Sequence, residues 1–170
     1  QVVLLFAILY VFLVSIGLLG SAFKLFGKGL ASQLIEMTSN PMVGLVAGIL
    51  ATTLAQSSST TTSIVVGLVA AGAMTIEGAI PVVMGANIGT SVTNTLVSMG
   101  HITRQEEFRR ALAGATVHDF FNLVCVLLLL PLEIATGYLE RIATIATEVF
   151  SGVGGMTFSS PLKLVTNPAV

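Results

Sequence analysis

A long stretch without charge, between Glu36 and Glu77, restricts the folds that are open to this chain. From Pro41 to Ile76 it covers 36 residues. That is too many for one transmembrane helix of about 20 residues and too few for two full spans with a water-exposed turn. Dividing the stretch at Gln56 leaves two helices of roughly 14 residues, the length expected of a hairpin that enters a membrane and leaves by the same side. We therefore predict a re-entrant helical hairpin.

Polar side chains are concentrated at the centre of this stretch, where residues 56–63 are Gln-Ser-Ser-Ser-Thr-Thr-Thr-Ser. In hydrocarbon each such group costs about 1–3 kcal/mol unless it finds a partner. Bonds from hydroxyls to carbonyls one turn earlier would satisfy some of them. Eight in a row point in every direction around a helix, so we expect a break between two helices that is lined with donors and acceptors for a polar ligand.

Composition supports a membrane setting, because 54% of the residues are hydrophobic, 9% are charged and the mean hydropathy is +0.97. Ordinary soluble domains carry about 25% charged residues. The net charge of −1 and the absence of a basic run argue against nucleic-acid binding. A single cysteine, Cys125, excludes an internal disulfide framework and a multi-cysteine metal site. The apolar start at Gln1, without a cleavage motif, predicts a piece of a longer protein.

The chain divides into seven segments by the spacing of charge, proline and glycine. Residues 1–26 predict a first transmembrane helix that ends near Lys24 and Lys28, and residues 27–40 a polar connection. Asn40 and Pro41 are a favourable helix start. The other segments are a hairpin over 41–74 with its tip at 56–59, a broken transmembrane helix over 76–100, an amphipathic entry and transmembrane helix over 104–132, an amphipathic helix over 133–151, and a linker or tail over 152–170.

The break in 76–100 is predicted from Gly85 and Gly89, which flank Asn87 and precede a hydroxyl-rich run. Each glycine disfavours a helix by about 1 kcal/mol relative to alanine. Small residues also allow membrane helices to pack closely, and this alternative stays open. Unwinding would expose carbonyls that suit a cation and N–H groups that suit an anion.

At the start of the segment 104–132, Thr103 and Glu106 have the spacing of a capping box. The three arginines Arg104, Arg109 and Arg110 predict a solvated, cytoplasmic loop. Thr116, Asp119 and Asn122 recur every three residues and are expected on one face. An ionisable Asp inside a membrane segment is a functional-site hypothesis. His118 is expected on a different face, as a structural hydrogen-bonding group.

Together these motifs resemble the first half of a type II sodium-dependent phosphate cotransporter, of bacterial type. The resemblance covers roughly residues 40–140 and rests on Gln-Ser-Ser-Ser-Thr at 56–60, Gly-Ala-Asn-Ile-Gly-Thr-Ser at 85–91, Thr-Asn-Thr at 93–95, Glu-Phe-Arg-Arg-Ala at 107–111, Gly-Ala-Thr-Val-His-Asp-Phe-Phe-Asn at 114–122 and Pro-Leu-Glu at 131–133. It implies an all-α integral membrane protein and one half of an inverted-repeat transporter. The other repeat, in the same chain or a second copy, would supply the second Gln-Ser-Ser-Ser motif.

The resemblance implies sodium-coupled symport of inorganic phosphate by alternating access across the plasma membrane, a bacterial inner membrane here, with lipid around it and no enzymatic activity or cofactor. With the expected break, the phosphate site would comprise Gln56, Ser57, Ser58, Ser59, Thr60, Asn87, Thr90 and Ser91. The sodium sites would comprise Gln56, Ser57, Asn87, Thr90, Asn94, Thr116, Asp119 and Asn122. Animal members often carry Gln and Asp, implicated in a further sodium site, where this chain has His101 and Arg104, which leaves the sodium stoichiometry open.

Physical chemistry agrees with this assignment, since the apolar stretches contain no Arg or Lys to meet a phosphate. Hydroxyls and half-helix N-termini would donate hydrogen bonds, and bound sodium would supply the compensating charge, so each ligand would stabilise the site for the other. The alternatives are an anion channel or a structural membrane subunit that uses the polar tip for helix packing. An intramembrane hydrolase is less favoured, because His118 has no evident serine partner.

Overall fold

The computed structural model describes residues 2–25 and 27–152, and all of its regular elements in these ranges are helices. In chain order they are α1 (Val2–Leu25), α2 (Gly27–Thr38), α3 (Pro41–Ala55), α4 (Ser58–Ala70), α5 (Ile76–Met99), α6 (Gln105–Thr136) and α7 (Tyr138–Gly152). The all-α prediction is confirmed. The predicted linker or tail lies, after residue 152, outside the described residues, as do the side chains of Lys24 and Lys28.

The central stretch folds as two helices joined by a two-residue break. Asn40 begins α3 as predicted, since its Oδ1 accepts hydrogen bonds from the N–H groups of Met42 and Val43 at 3.0 and 3.4 Å. Gln56 ends α3 in the left-handed region, with φ of 53°. Ser57 then starts α4 in extended conformation. The break therefore falls at the predicted position, within residues 56–59.

Helix α4 returns alongside α3, so the two form a hairpin. Near the tip Thr52 of α3 donates a hydrogen bond to Thr61 of α4 at 2.9 Å. Further from the tip, Val65 and Leu68 of α4 pack in a core cluster with Ala79 and Val82 of α5. The direction of α4 is therefore opposite to that of α3. Whether this hairpin re-enters a membrane remains a prediction.

Helix α5 is the centre of the fold, and α3 lies parallel to it at very short distance. A Cβ atom added at Gly48 would collide with the carbonyl of Val82, and one added at Gly85 would collide with the carbonyl of Leu45. One added at Gly89 would lie 2.6 Å from the Cβ of Thr52. These glycines allow backbone to pack on backbone, as small residues do between membrane helices.

The predicted break in α5 is wrong, because the helix is continuous from Ile76 to Met99. The glycines that suggested unwinding, Gly85 and Gly89, are buried against α3. Their low helix propensity is offset by close packing that a larger residue would prevent. The packing alternative therefore explains these residues.

Helix α6 lies antiparallel to α5. Val126 and Leu130 in its second half pack in a cluster with Met84 of α5 and Leu45 of α3. Its N-cap is Arg104, which makes no side-chain capping bond, so the predicted capping box at Thr103 is wrong. The acidic residues of the first turn form ion pairs with neighbouring side chains instead.

Two connections also differ from the prediction. Residues 27–40, predicted as a polar connection, contain α2, whose buried Thr38 packs on Gly78 at the start of α5. At the other end, α6 continues past residue 132, and Glu133 is buried within it. Its Oε2 accepts from the N–H of Leu139 at 2.7 Å and its Oε1 from that of Glu140 at 3.2 Å. Glu133 thus satisfies amides at the start of α7.

One described helix, Gln105–Thr136, is long and apolar enough to cross a membrane, and a second candidate is the bent pair Ser32–Thr38 and Pro41–Ala55, with an angle of 104°. Large apolar side chains are also exposed along much of α1 and α6, among them Val3, Phe6, Phe121 and Leu128. The composition and these surfaces fit a helical membrane protein whose outer faces meet lipid or further protein.

Candidate functional site

The hairpin tip brings hydroxyl groups together at the start of α4. Ser57 caps this helix, since its Oγ accepts from the N–H of Thr60 at 3.2 Å and from the Oγ1 of Thr60 at 2.9 Å. Below it, the buried Thr61 receives a hydrogen bond from the fully buried Thr52 and donates to the carbonyl of Ser57. These bonds fix the shape of the tip.

Other polar groups of the tip are left available. Within the described part of the chain, the side chains of Gln56, Ser58 and Ser59 make no hydrogen bond. Gln56 and Ser59 are exposed and Ser58 is half-buried. They surround the N-terminus of α4, where unpaired backbone N–H groups and the helix dipole favour an anion. The tip therefore has donors that a phosphate oxygen could use.

The predicted phosphate ligands of α5 divide between two faces. Gly89 faces Thr52 of α3, and residues two positions before and after it lie on the opposite side of a helix with 3.6 residues per turn. Asn87 and Ser91 accordingly face α6. Thr93 follows Gly89 by four residues, so helical spacing puts it on the same side of α5 as Gly89.

Thr90 is half-buried and bonds the carbonyl of Ala86 at 3.2 Å, while Thr93 bonds the carbonyl of Thr90 at 2.7 Å. Thr93 was not among the predicted site residues. The signal that could have identified it is its spacing of four from Gly89, once the glycine is recognised as the contact with the hairpin. Helical spacing thus puts Thr93, rather than Asn87 or Ser91, on the same side of α5 as Gly89.

A second polar cluster lies between α5 and α6. The amide of Asn122 donates to the carbonyl of Asn87 at 3.2 Å and lies 3.4 Å from the Oγ of Ser91. His118 Nδ1 is 3.4 Å from the amide nitrogen of Asn94 and 3.2 Å from that of Asn122. Asn94 therefore belongs to the cluster between α5 and α6. The sequence analysis had grouped it with Gln56 and Ser57 of the tip as sodium ligands.

Asp119 completes this cluster and has one unused oxygen. Its Oδ2 accepts a hydrogen bond from Thr95 at 2.9 Å. Its Oδ1 is buried and finds no hydrogen-bond partner among the residues that the structure describes, the nearest ring nitrogen of His118 being 3.9 Å away. A buried, unpaired carboxylate oxygen is costly, so it favours a cation beside it. Hydroxyl, amide and carboxylate oxygens nearby are suitable ligands for sodium.

Two placements depart from the sequence analysis. Thr116 does not join Asp119 and Asn122, because it is exposed and its hydroxyl donates to the carbonyl of Leu112 at 2.8 Å. His118, expected on a different face, lies with Asn122 in the cluster. The spacing of four between His118 and Asn122 could have indicated this, since such residues are neighbours on a helix. The sequence analysis also did not identify Thr95 as the hydrogen-bond donor to Asp119.

Comparison with known proteins identifies relatives along the whole chain. A family model described as Na+/Pi-cotransporter matches residues 11–159. Sodium-dependent phosphate transport protein 2B of Homo sapiens is 50% identical over 99% of the chain, and the 2B protein of Pongo abelii is 49% identical over the same share. Sodium-dependent phosphate transport protein 2A of Ovis aries is 49% identical over 99% of the chain. No solved structure matches.

The chain spans about a quarter of the length of these relatives, 25% of the 2B proteins and 27% of the 2A protein. All three are mammalian transport proteins, so the bacterial subgroup and the bacterial inner membrane stay predictions. The resemblance stated from the motifs is confirmed at the level of the family. Because the family model covers most of the chain and relatives are about half identical over nearly all of it, this chain belongs to the Na+/Pi-cotransporter family.

Proposed function

We propose that the chain forms one half of a plasma-membrane symporter that couples sodium to inorganic phosphate, with a second inverted repeat completing the transport site. The observation that carries this proposal is the pairing of a hydroxyl-rich helix N-terminus at the hairpin tip with a cluster that holds an unpartnered carboxylate oxygen. The first suits an oxyanion and the second suits a cation. Family membership, and relatives named as sodium-dependent phosphate transport proteins, support it.

In this proposal the phosphate is bound at the tip by Gln56, Ser57, Ser58, Ser59 and Thr60. Thr90 on α5 joins them when its hydroxyl turns from the carbonyl of Ala86 to the ligand. Asn87 and Ser91 face α6 and belong to the α5–α6 cluster, so they are not proposed as phosphate ligands. No Lys or Arg occurs between Glu36 and Glu77 to neutralise the substrate, so hydroxyl and amide donors act together with bound sodium. Neutralisation by sodium makes the affinities for the two ligands interdependent.

Sodium is bound in the α5–α6 cluster by Asp119, Asn122 and Asn94, beside the carbonyl of Asn87. Gln56 and Ser57, at the tip, and Thr90 supply oxygen ligands for sodium that is bound beside the phosphate. Thr116 is the weakest member of the predicted set, because its hydroxyl faces outward. Movement of the hairpin relative to the rest of the fold exposes the site alternately to the two sides, by analogy with transporters built from inverted repeats.

The experiment that tests this function is phosphate uptake into proteoliposomes by the product of the native gene, with an inward sodium gradient or an equal potassium gradient. Uptake in sodium alone is expected. Equal uptake with both cations would remove ion coupling and favour an anion channel, and no uptake with either would favour a structural subunit.

The same assay tests the tip through Ser58→Ala. The Ser58 hydroxyl makes no hydrogen bond within the described residues, so its loss removes a ligand donor and leaves the hairpin intact. A lost hydrogen bond to a charged group costs about 1.5–3 kcal/mol, so we expect the apparent KM for phosphate to rise on the order of tenfold or more. Ser57→Ala is less informative, because Ser57 also caps α4. An unchanged KM would contradict the assignment of Ser58.

A further inference from the structure

A cavity of about 380 Å³ lies between the second half of α5 and the first half of α6, beside the loop that joins them. Its polar lining comes from Asn94, Ser98, His101, Arg110 and His118. The volume falls in the range of small-molecule sites. One end is formed by the loop residue His101, and the other by the pair Asn94 and His118, which belong to the α5–α6 cluster. The cavity therefore connects the loop with that cluster.

The charges around this loop leave one arginine unneutralised. Arg104 lies 3.2 Å from Glu107, and Arg109 lies 3.9 Å from Glu106. Glu107 also contacts His101 at 3.2 Å. Arg110 forms no ion pair with any residue that the structure describes, and it is the arginine that lines the cavity.

The lining is chemically suited to an oxyanion. The guanidinium of Arg110 presents five N–H donors in a planar fork that matches phosphate oxygens. The Asn94 amide, 3.4 Å from His118 Nδ1, adds an N–H₂ donor at the inner end. Ser98 does not contribute its proton, because it donates to the carbonyl of Thr95 at 2.7 Å. Arg110 is therefore the charged anchor of the lining.

We propose that this cavity is a vestibule that binds a phosphate group, with Arg110 as its anchor, separate from the sodium-coupled site at the hairpin tip. Its role as a station for the transported substrate rests on the proposed function. Binding itself does not, because Arg110 supplies the positive charge that the tip must obtain from sodium. The vestibule therefore binds phosphate in the absence of sodium.

The test is protection of arginines from phenylglyoxal in the detergent-purified product of the native gene. Inorganic phosphate is added in sodium or in potassium buffer, and the adducts at each arginine are quantified by mass spectrometry. We expect phosphate to slow modification of Arg110 several-fold in both buffers. Arg109 is the matched control: it is exposed on the same helix turn, but lines a different cavity, and its rate should not change.

Gly114→Leu provides a matched variant. A Cβ atom at Gly114 would meet nothing within 4 Å, so the fold accepts a side chain there, and Gly114 lines the cavity. The leucine should fill the vestibule and abolish protection of Arg110. Gly114→Ala is the control with little added volume, and it should keep the protection.

A lipid headgroup offers the same chemistry as free phosphate, so one arm of the experiment uses lipid nanodiscs with or without phosphatidic acid. If phosphatidic acid protects Arg110 and inorganic phosphate does not, the cavity still binds a phosphate group, and the ligand is a lipid headgroup. Equal protection of Arg109 and Arg110, or none at Arg110 by either ligand, overturns the proposal. Protection only in sodium also overturns it, because Arg110 would then report the coupled site. Protection in both buffers without sodium-dependent uptake would retain the vestibule and contradict only the proposed function.

Discussion

At the scale of single residues, Asp119 is the side chain whose environment most requires a ligand. One oxygen accepts a hydrogen bond from Thr95, while the other is buried and has no hydrogen-bond partner among the described side chains and backbone. We expect Asp119→Asn, which keeps the shape and removes the charge, to raise the sodium concentration for half-maximal phosphate uptake on the order of tenfold or more. Sodium titration of uptake in proteoliposomes measures this.

Thr116 provides the control for that experiment. It was predicted beside Asp119, yet its hydroxyl is exposed and bonds its own helix. Thr116→Val should therefore leave the sodium dependence unchanged. If Thr116→Val weakened sodium activation as much as Asp119→Asn, the ligand set inferred from the α5–α6 cluster would be wrong.

Glu133 shows how a charged residue in an apolar region can be structural. It is buried, and its two oxygens accept from the amides of Leu139 and Glu140 at the start of α7. Loss of a helix cap costs about 0.5–2 kcal/mol. We expect Glu133→Leu to speed hydrogen exchange at these amides, measured by mass spectrometry, and Glu133→Gln, which retains one acceptor, to speed it less. Equal exchange in all three proteins would contradict the capping role.

At the scale of elements, the contact between α3 and α5 positions the hairpin. Gly85 packs on the backbone of Leu45, so Gly85→Val should force the helices apart. Overpacking costs about 1–3 kcal/mol, and we expect a lower Tm of the purified protein in a detergent thermal-shift assay. Gly114→Ala, where the added Cβ has open space, should not lower the Tm. An unchanged Tm of the Gly85→Val variant would contradict the close backbone contact between α3 and α5.

The elements were predictable where local signals and tertiary packing agree. Asn40 and Pro41 fix the start of α3, and the polar run fixes its end at Gln56. The continuity of α5 was not predictable, because glycine disfavours helix locally and only the neighbouring α3 explains Gly85 and Gly89. Helix α2 was missed because its polar content suggested a connection, whereas the burial of Thr38 at its end depends on contact with Gly78.

At the scale of the whole molecule, the sequence identified polar residues of the hairpin tip and of the α5–α6 cluster. It did not indicate which residues belong to which of these two groups. The tip motif and Asp119 were both singled out from residue type and an apolar setting. The placement of Asn87 and Ser91 with α6 depends on the rotation of α5, which is set by its glycine contact with the hairpin. A periodic pattern in one helix does not specify which neighbour each face meets.

The arrangement of helices also predicts which sites share a side of the membrane. If α3 and α4 re-enter, their outer ends lie on one side, and the loop after α5 lies on the other. In a Cys125→Ala background, we expect Met42→Cys and Ala71→Cys to react with an impermeant maleimide from the same side of sealed vesicles. Ile102→Cys, exposed in the α5–α6 loop, should react from the opposite side. Labelling of Met42→Cys and Ala71→Cys from opposite sides would mean that residues 41–71 cross the membrane once, which would contradict the re-entrant hairpin.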